Sequence, residues 1–200
     1  MKPTIVTIAL LLAAFSSLTA QPAVAQGSLQ AKLWVVSPEQ ASDVTFPAPS
    51  ATPDATFSTN GIAYIGGGKG CYTIEKWVAG CETPAYGLAF SGLPNPNLKN
   101  KAAARSTKMN GPNYGIIVEF TGTVDLTNGS PIYILHDDGV SLMIDGSQIP
   151  GYDPFTTVPV LESASFTGTT GGHSVDLLYA NSAGNPNTSG AWLLFFPQLY

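Results

Sequence analysis

The side chains best placed to do chemistry in this chain are the adjacent carboxylates of His136-Asp137-Asp138-Gly139, at the end of the apolar run Ile132 to Leu135. Neighbouring side chains on a regular strand point to opposite faces. For Asp137 and Asp138 to act together, the backbone must therefore leave strand geometry at that point. Two neighbouring anions also repel unless a cation or hydrogen-bond donors lie between them. A hard cation bound through oxygens, such as calcium, reconciles the pair. Beyond Gly139 the sequence predicts an alternating strand, Val140 to Ile144, and a tight Asp145-Gly146 turn.

Other reactive arrangements are weaker. His136 and His173 are the only histidines. His136 beside Asp137 invites an acid–base role, but a lone histidine next to a carboxylate is also an ordinary turn residue, and no spacing motif supports zinc. A glycosidase pair drawn from Asp137, Asp138, Asp145, Asp153 and Glu162 would need two carboxyls roughly 5–10 Å apart in a cleft, which linear spacing does not establish. No Gly-x-Ser-x-Gly or His-Glu-x-x-His motif is present. The run Gly66-Gly67-Gly68-Lys69-Gly70 lacks the Ser or Thr after lysine that a phosphate loop requires. Among aromatic residues that could stack on a sugar ring, Trp192 ranks first for its position near Asn181, followed by Tyr152 and Phe155 after the Asp145-Gly146 turn.

The elements that must position these residues belong to an exported β-protein. Lys2, the apolar stretch Ile5 to Ala14 and the Ala23-Val24-Ala25 pattern predict a signal peptide over 1–25. The apolar stretch is shorter than the roughly 20 residues of a membrane span, and the sequence predicts no span in the mature chain. The mature chain, 26–200, suits a single domain. Losing Lys2 lowers the basic residues from 8 to 7 against 13 acidic ones, which argues against nucleic-acid binding. Charged residues make up 10% and apolar residues 44%, ample for a core and against disorder. In an exported protein Cys71 and Cys81 are expected to pair as a disulfide, adding about 2–3 kcal/mol for so short a loop; the competing metal-pair reading lacks further ligands nearby.

Strands are predicted over 29–36, within 55–64, and over 86–90, 116–120, 124–126, 131–135, 140–144, 161–166, 174–179 and 191–196, with Asn128-Gly129 as a hairpin turn. One short helix, Tyr72 to Val78, falls between the cysteines. The basic cluster Lys99, Lys101, Arg105 and Lys108 sits in a Pro- and Asn-rich loop and is weighed as a solvated face. Short strands separated by Gly and Asn turns define the fold class as all-β, an antiparallel β-sandwich with one short helix near the disulfide.

The second half resembles a PA14 domain. The resemblance rests on Phe120-Thr121-Gly122, on Ile134 to Gly146 with its Asp-Asp-Gly and Asp-Gly steps, on Gly171-Gly172-His173 leading to Tyr179-Ala180-Asn181, and on Gly190-Ala191-Trp192-Leu193-Leu194. It is clearest over 116–196. In calcium-dependent sugar-binding members of that family the paired Asp residues hold one calcium, the peptide between them is cis, and an Asn after a late strand completes the site. Carried over, the resemblance implies Asp137, Asp138 and Asn181 as metal ligands, assisted by backbone oxygens of the loop 182–191, with the cation bridging sugar hydroxyls. That loop is longer than the family pattern. In other members the Asp-Asp turn is structural, its first carboxylate bonded locally to backbone.

The expected function is thus a secreted, non-catalytic binding module for extracellular glycan, assisted by Ca2+, released outside the cell with the periplasm as the fallback. The alternative is a structural or self-associating surface or matrix protein without metal. A third is an accessory domain of a carbohydrate-active enzyme system.

Overall fold

The computed structural model describes residues 28–42, 44–59, 61–65, 77, 115–182 and 191–196. The predicted signal peptide, the Cys71–Cys81 pair, the strand over 86–90 and the basic cluster lie outside the described residues, as does the predicted helix apart from Trp77.

The strands in chain order are β1 (Leu29–Val36), β2 (Ala55–Thr59), β3 (Ala63–Ile65), β4 (Gly115–Leu126), β5 (Pro131–Asp137), β6 (Gly139–Ile144), β7 (Ser147–Gln148), β8 (Val160–Ser165), β9 (Gly171–Asn181) and β10 (Trp192–Phe196). They form two antiparallel sheets, one of six strands in the order β2-β1-β4-β9-β6-β7 and one of four in the order β3-β10-β5-β8. Alternation of apolar and polar residues sets which face turns inward. Leu29, Ala31 and Leu33 of β1 are buried while Gln30 and Lys32 are exposed, and β2 alternates in the same way. The inward residues of both sheets meet in one core that includes Leu33, Tyr64, Phe120, Ile134, Leu142, Tyr179 and Leu193. Fully burying one such large side chain stabilises by about 1.5–3 kcal/mol.

Gly115 to Phe120 of β4 is buried without alternation. The cause lies in residues 37–42 and 44–54, which cross the outer face of the six-stranded sheet: Ala41 and Val44, with Phe46 and Ala48, pack on Trp34, Ile117, Leu178 and Ala180. This strap is pinned by Trp34 Nε1 donating to the Ala51 carbonyl at 2.7 Å and by Val35 N–H donating to Asp54 Oδ2 at 2.9 Å.

One expectation about a connection needs correction. Asn128-Gly129 does not make a hairpin: β4 lies in the six-stranded sheet and β5 in the four-stranded one, so the turn carries the chain across the core. The step from β5 to β6 likewise passes between sheets and is not a local reversal. Turn residues specify a change of direction; whether the next strand pairs laterally or crosses is decided by core packing. The Asp145-Gly146 turn does join a paired β6 and β7, and both of its residues have positive φ, 50° and 74°, as a two-residue hairpin turn requires.

Candidate functional site

Asp137 is the last residue of β5, Gly139 is the first of β6, and Asp138 alone bridges the two sheets. The backbone leaves strand geometry where the two carboxylates stand, and the peptide between them is cis. The crossing is possible because Gly139 has no side chain: a Cβ there would lie 1.8 Å from the Pro154 carbonyl oxygen.

Both carbonyl oxygens of the Asp137–Asp138 step are fully occupied by side-chain donors. The Asp137 carbonyl accepts from Tyr179 Oη and, at 3.2 Å, from Asn181 Nδ2. The Asp138 carbonyl accepts from Thr156 Oγ1 at 2.7 Å and from His136 Nδ1 at 2.7 Å. Tyr179 is completely buried; burial and then the two carboxylates push its hydroxyl well above the usual phenol range, so it remains a donor. Its ring stacks on Trp77 at 5.6 Å, and Trp77 Nε1 donates to the Ala191 carbonyl at 2.9 Å. An aromatic column from the core thus ends on the Asp137 carbonyl.

The carboxylates are treated differently. Asp138 Oδ2 accepts from Ser182 N–H at 2.6 Å and Ser182 Oγ at 2.7 Å. Asp137 is fully buried, and among the described residues no N–H or O–H donates to either of its carboxylate oxygens. Its polar neighbour is the Asp138 carboxyl, which can share a hydrogen only when one of the two is protonated. Burial first, and the Asp138 charge second, push the Asp137 carboxyl far above the usual range. Burial raises Asp138 also, in part offset by the Ser182 bonds.

A buried carboxylate without donors is an acceptor set awaiting a hydrogen or a cation. Asp137 Oδ1 and Oδ2 fit a hard cation, which binds through oxygens. Asn181 is buried and spends its N–H on the Asp137 carbonyl, so its Oδ1 is the atom it has to offer. Among the described residues no cluster of three or more His, Cys, Asp or Glu side chains gathers at one point. The remaining ligands would be neutral oxygens. Apart from Ser182 and Ala191, the loop expected to supply them lies outside the described residues.

The three aromatic candidates separate. Trp192 lies opposite Asp137 in the β10–β5 register. It is part-buried and packs with Leu135, Leu161, Leu194 and Phe196 on the outer side of the four-stranded sheet. Tyr152 packs on the core and donates its hydroxyl to the Ile132 carbonyl at 2.8 Å, which commits it to the fold. Phe155 is 43% exposed, one residue from the Thr156 that binds the Asp138 carbonyl. His136 is completely buried with both ring nitrogens engaged, Nδ1 on Asp138 and Nε2 on Glu162 Oε2 at 2.8 Å. It offers no free face for proton transfer. His173 holds Asp145 Oδ2 at 2.6 Å through Nδ1 and donates from Nε2 to the Thr169 carbonyl at 2.7 Å. It braces the β6–β7 turn, away from the Asp pair.

Sequence reasoning did not single out Tyr179, Ser182 or Thr156 as members of the site, and weighed Glu162 only as one of a glycosidase pair. The Tyr-x-Asn spacing held a signal for Tyr179, since two residues apart on β9 place Tyr179 and Asn181 on one face. Ser182 and Thr156 carried no spacing signal.

The fold and the site define an antiparallel β-sandwich with a paired-aspartate crossover between its sheets. The chain is similar to the PA14 domain of the MpAFP antifreeze protein (16% identity, 88% of this chain and 85% of that one, TM-score 0.46). It is similar also to a PA14 sugar-binding domain from an RTX adhesin (18% identity, 83% and 86% covered, TM-score 0.45). A segment of a GH31 alpha-xylosidase from Xanthomonas citri is similar over 84% of this chain and 13% of that one (11% identity, TM-score 0.43). No protein-family model matches, and no curated protein matches.

Proposed function

We propose that the Asp137–Asp138 crossover is a calcium site and that the domain is a non-catalytic module that recognises extracellular carbohydrate through that cation. The observation that carries this reading is the Asp137 carboxylate, buried with both oxygens free of donors among the described residues. A dication would relieve the repulsion from Asp138 and occupy those oxygens. Vicinal sugar hydroxyls are hard oxygen donors able to complete its shell, and exposed Phe155 offers an apolar surface for the C–H face of a ring. Affinity for calcium would be modest, of order 10⁻⁴–10⁻³ M as for extracellular modules. The sequence signal of export and the absence, among the described residues, of any helix long and apolar enough to cross a membrane are compatible with release outside the cell.

The test is calorimetric titration of calcium into the protein lacking residues 1–25, wild type against Asp137→Asn/Asp138→Asn, followed by a glycan array with calcium and with chelator. Saturable binding lost in the variant, with calcium-dependent array signals, supports the reading. Absence of binding at millimolar calcium defeats it.

A second reading is favoured by the four side chains that clamp the two carbonyls. They would shape the crossover without metal, as in a structural or self-associating surface protein. It leaves the Asp137 carboxylate unexplained, because an uncharged residue would serve a purely structural turn at lower desolvation cost.

A further inference from the structure

Glu162 lies on β8, two strands from β10 in the four-stranded sheet, and its side chain is 25% exposed. One of its oxygens, Oε2, has two hydrogen-bond partners that lead to different parts of the site. His136 Nε2 lies 2.8 Å away and Asp153 N–H donates at 2.7 Å. Through His136 the connection runs on to the Asp138 carbonyl, 2.7 Å from Nδ1. A carbonyl only accepts, so Nδ1 carries a hydrogen and Nε2 lies against the Glu162 carboxyl. Through Asp153 the connection runs to the loop that carries Phe155. Asp153 Oδ1 accepts from Phe155 N–H at 2.9 Å, the Asp153 carbonyl accepts from Val140 N–H at 3.0 Å, and Thr156 returns to the Asp138 carbonyl. The Pro154 carbonyl accepts from Val44 N–H at 3.2 Å, which ties the same loop to the strap.

One carboxylate oxygen therefore connects to both the Asp138 carbonyl, in the peptide to Gly139, and the loop that carries the exposed aromatic residue. We infer that Glu162 is a positioning residue for the cation site: through His136 and Asp153 it holds the Asp138 carbonyl and the Phe155 loop in register with the Asp137 carboxylate, so cation affinity depends on a side chain that does not touch the cation. The inference rests on the calcium reading above. Outer-shell partners of metal ligands act in this way by fixing ligand orientation, and their loss lowers metal affinity by about 10–100-fold.

The test uses calcium alone as titrant, with the lifetime of terbium luminescence as the signature of shell geometry and the denaturant midpoint in chelator as the measure of metal-free stability. The proteins are wild type, Glu162→Ala, Glu162→Gln and Ser163→Ala, the last on the exposed neighbour in the same strand. Glu162→Ala is expected to weaken calcium by about 10–100-fold and to alter the terbium lifetime. Glu162→Gln should recover part of the affinity, because its Oε1 remains an acceptor at the same reach, and Ser163→Ala should leave affinity unchanged. If wild type binds and Glu162→Ala stays within about twofold of it, against that outer-shell expectation, the positioning role alone is overturned. A loss that follows metal-free stability, with the lifetime unmoved and no rescue by glutamine, overturns it also and leaves a structural role. Failure of wild type to bind removes the calcium reading and this inference together.

Discussion

Tyr179 and Asp137 sit on different sheets and are joined by a hydrogen bond from the phenol to the peptide carbonyl. The bond spans the interior of the sandwich and ends where the chain crosses it. Replacing Tyr179 with Phe keeps the ring on Trp77 but leaves the Asp137 carbonyl with Asn181 as its donor. Removing one partner of a buried bond costs about 1–3 kcal/mol. Urea unfolding of Tyr179→Phe should show a loss in that range with an unchanged m-value.

The acidic pair makes a metal-free protein sensitive to alkali. Burial, followed by the charge of the neighbour, raises the Asp137 carboxyl, and burial raises Asp138. A carboxyl raised in the folded state contributes stability that is present below its unfolded value, about 3.9, and is lost as pH rises through the folded value. In chelator, stability should therefore fall from pH 5 toward pH 8. Asp137→Asn should flatten that slope, and saturating calcium should oppose it in wild type only. Denaturation midpoints at four pH values in chelator and in calcium decide it; equal slopes in wild type and Asp137→Asn would show that Asp137 is not the group responsible.

His173 and Asp145 are shifted in opposite directions from each other. The Asp145 bond and then the Thr169 carbonyl raise the His173 imidazole, and the His173 bond lowers the Asp145 carboxyl. The imidazole's contribution is full below its unfolded value, about 6.5, and is lost as pH rises through the raised folded value. The carboxylate's contribution is present above its unfolded value, about 3.9, and is lost as pH falls through the lowered one. The pair helps most between those limits. Ring-proton NMR should place the His173 titration above that of a free imidazole in wild type, and Asp145→Asn should return it toward the ordinary value.

Gly139→Ala should disable the site without touching a ligand. The added methyl would meet the Pro154 carbonyl oxygen at 1.8 Å and Val44 Cγ1 at 3.1 Å. Backbone must then move, at a cost of about 1–3 kcal/mol as for other overpacked positions. Calcium titration should show a lower affinity than wild type in a protein that still folds, whereas Gly146→Ala, at a position with open space around it but positive φ, should lower stability and spare calcium.

The strands were legible where side chains alternate or form short apolar runs. Residues 29–36 emerge as β1 without change, and the predicted strands from 116 onward all appear, some longer than expected. Segments 116–120 and 124–126 merge into one strand, because Thr121-Gly122-Thr123 continues the ladder against Val175, Asp176 and Ser174. What could not be read was lateral placement. Asn128-Gly129 and Asp145-Gly146 look alike as turns, yet the first crosses between sheets and the second closes a hairpin. The Asp pair was legible because two adjacent charges at the end of an apolar run conflict with strand geometry. Its hydrogen-bond partners and their supports were not, since Thr156, Glu162, Tyr179 and Ser182 are distant from it in sequence, and only the assembled sandwich brings them together.

The exchange of sheets between successive strands also governs the order in which this molecule can assemble. β10 lies between β3 and β5, and β4 lies between β1 and β9, so each sheet is held together by a strand remote in sequence from at least one of its neighbours. Such long-range pairing incurs loop closure before any contact forms, which places folding in the millisecond-to-second range, on the order of other β-sandwiches. A growing chain halted before Ala191 would lack the strand that joins β3 to β5 and, with it, the residue opposite Asp137. Completion of the four-stranded sheet therefore waits for β10, whereas the side chains that clamp the acidic crossover all lie at or before Asn181.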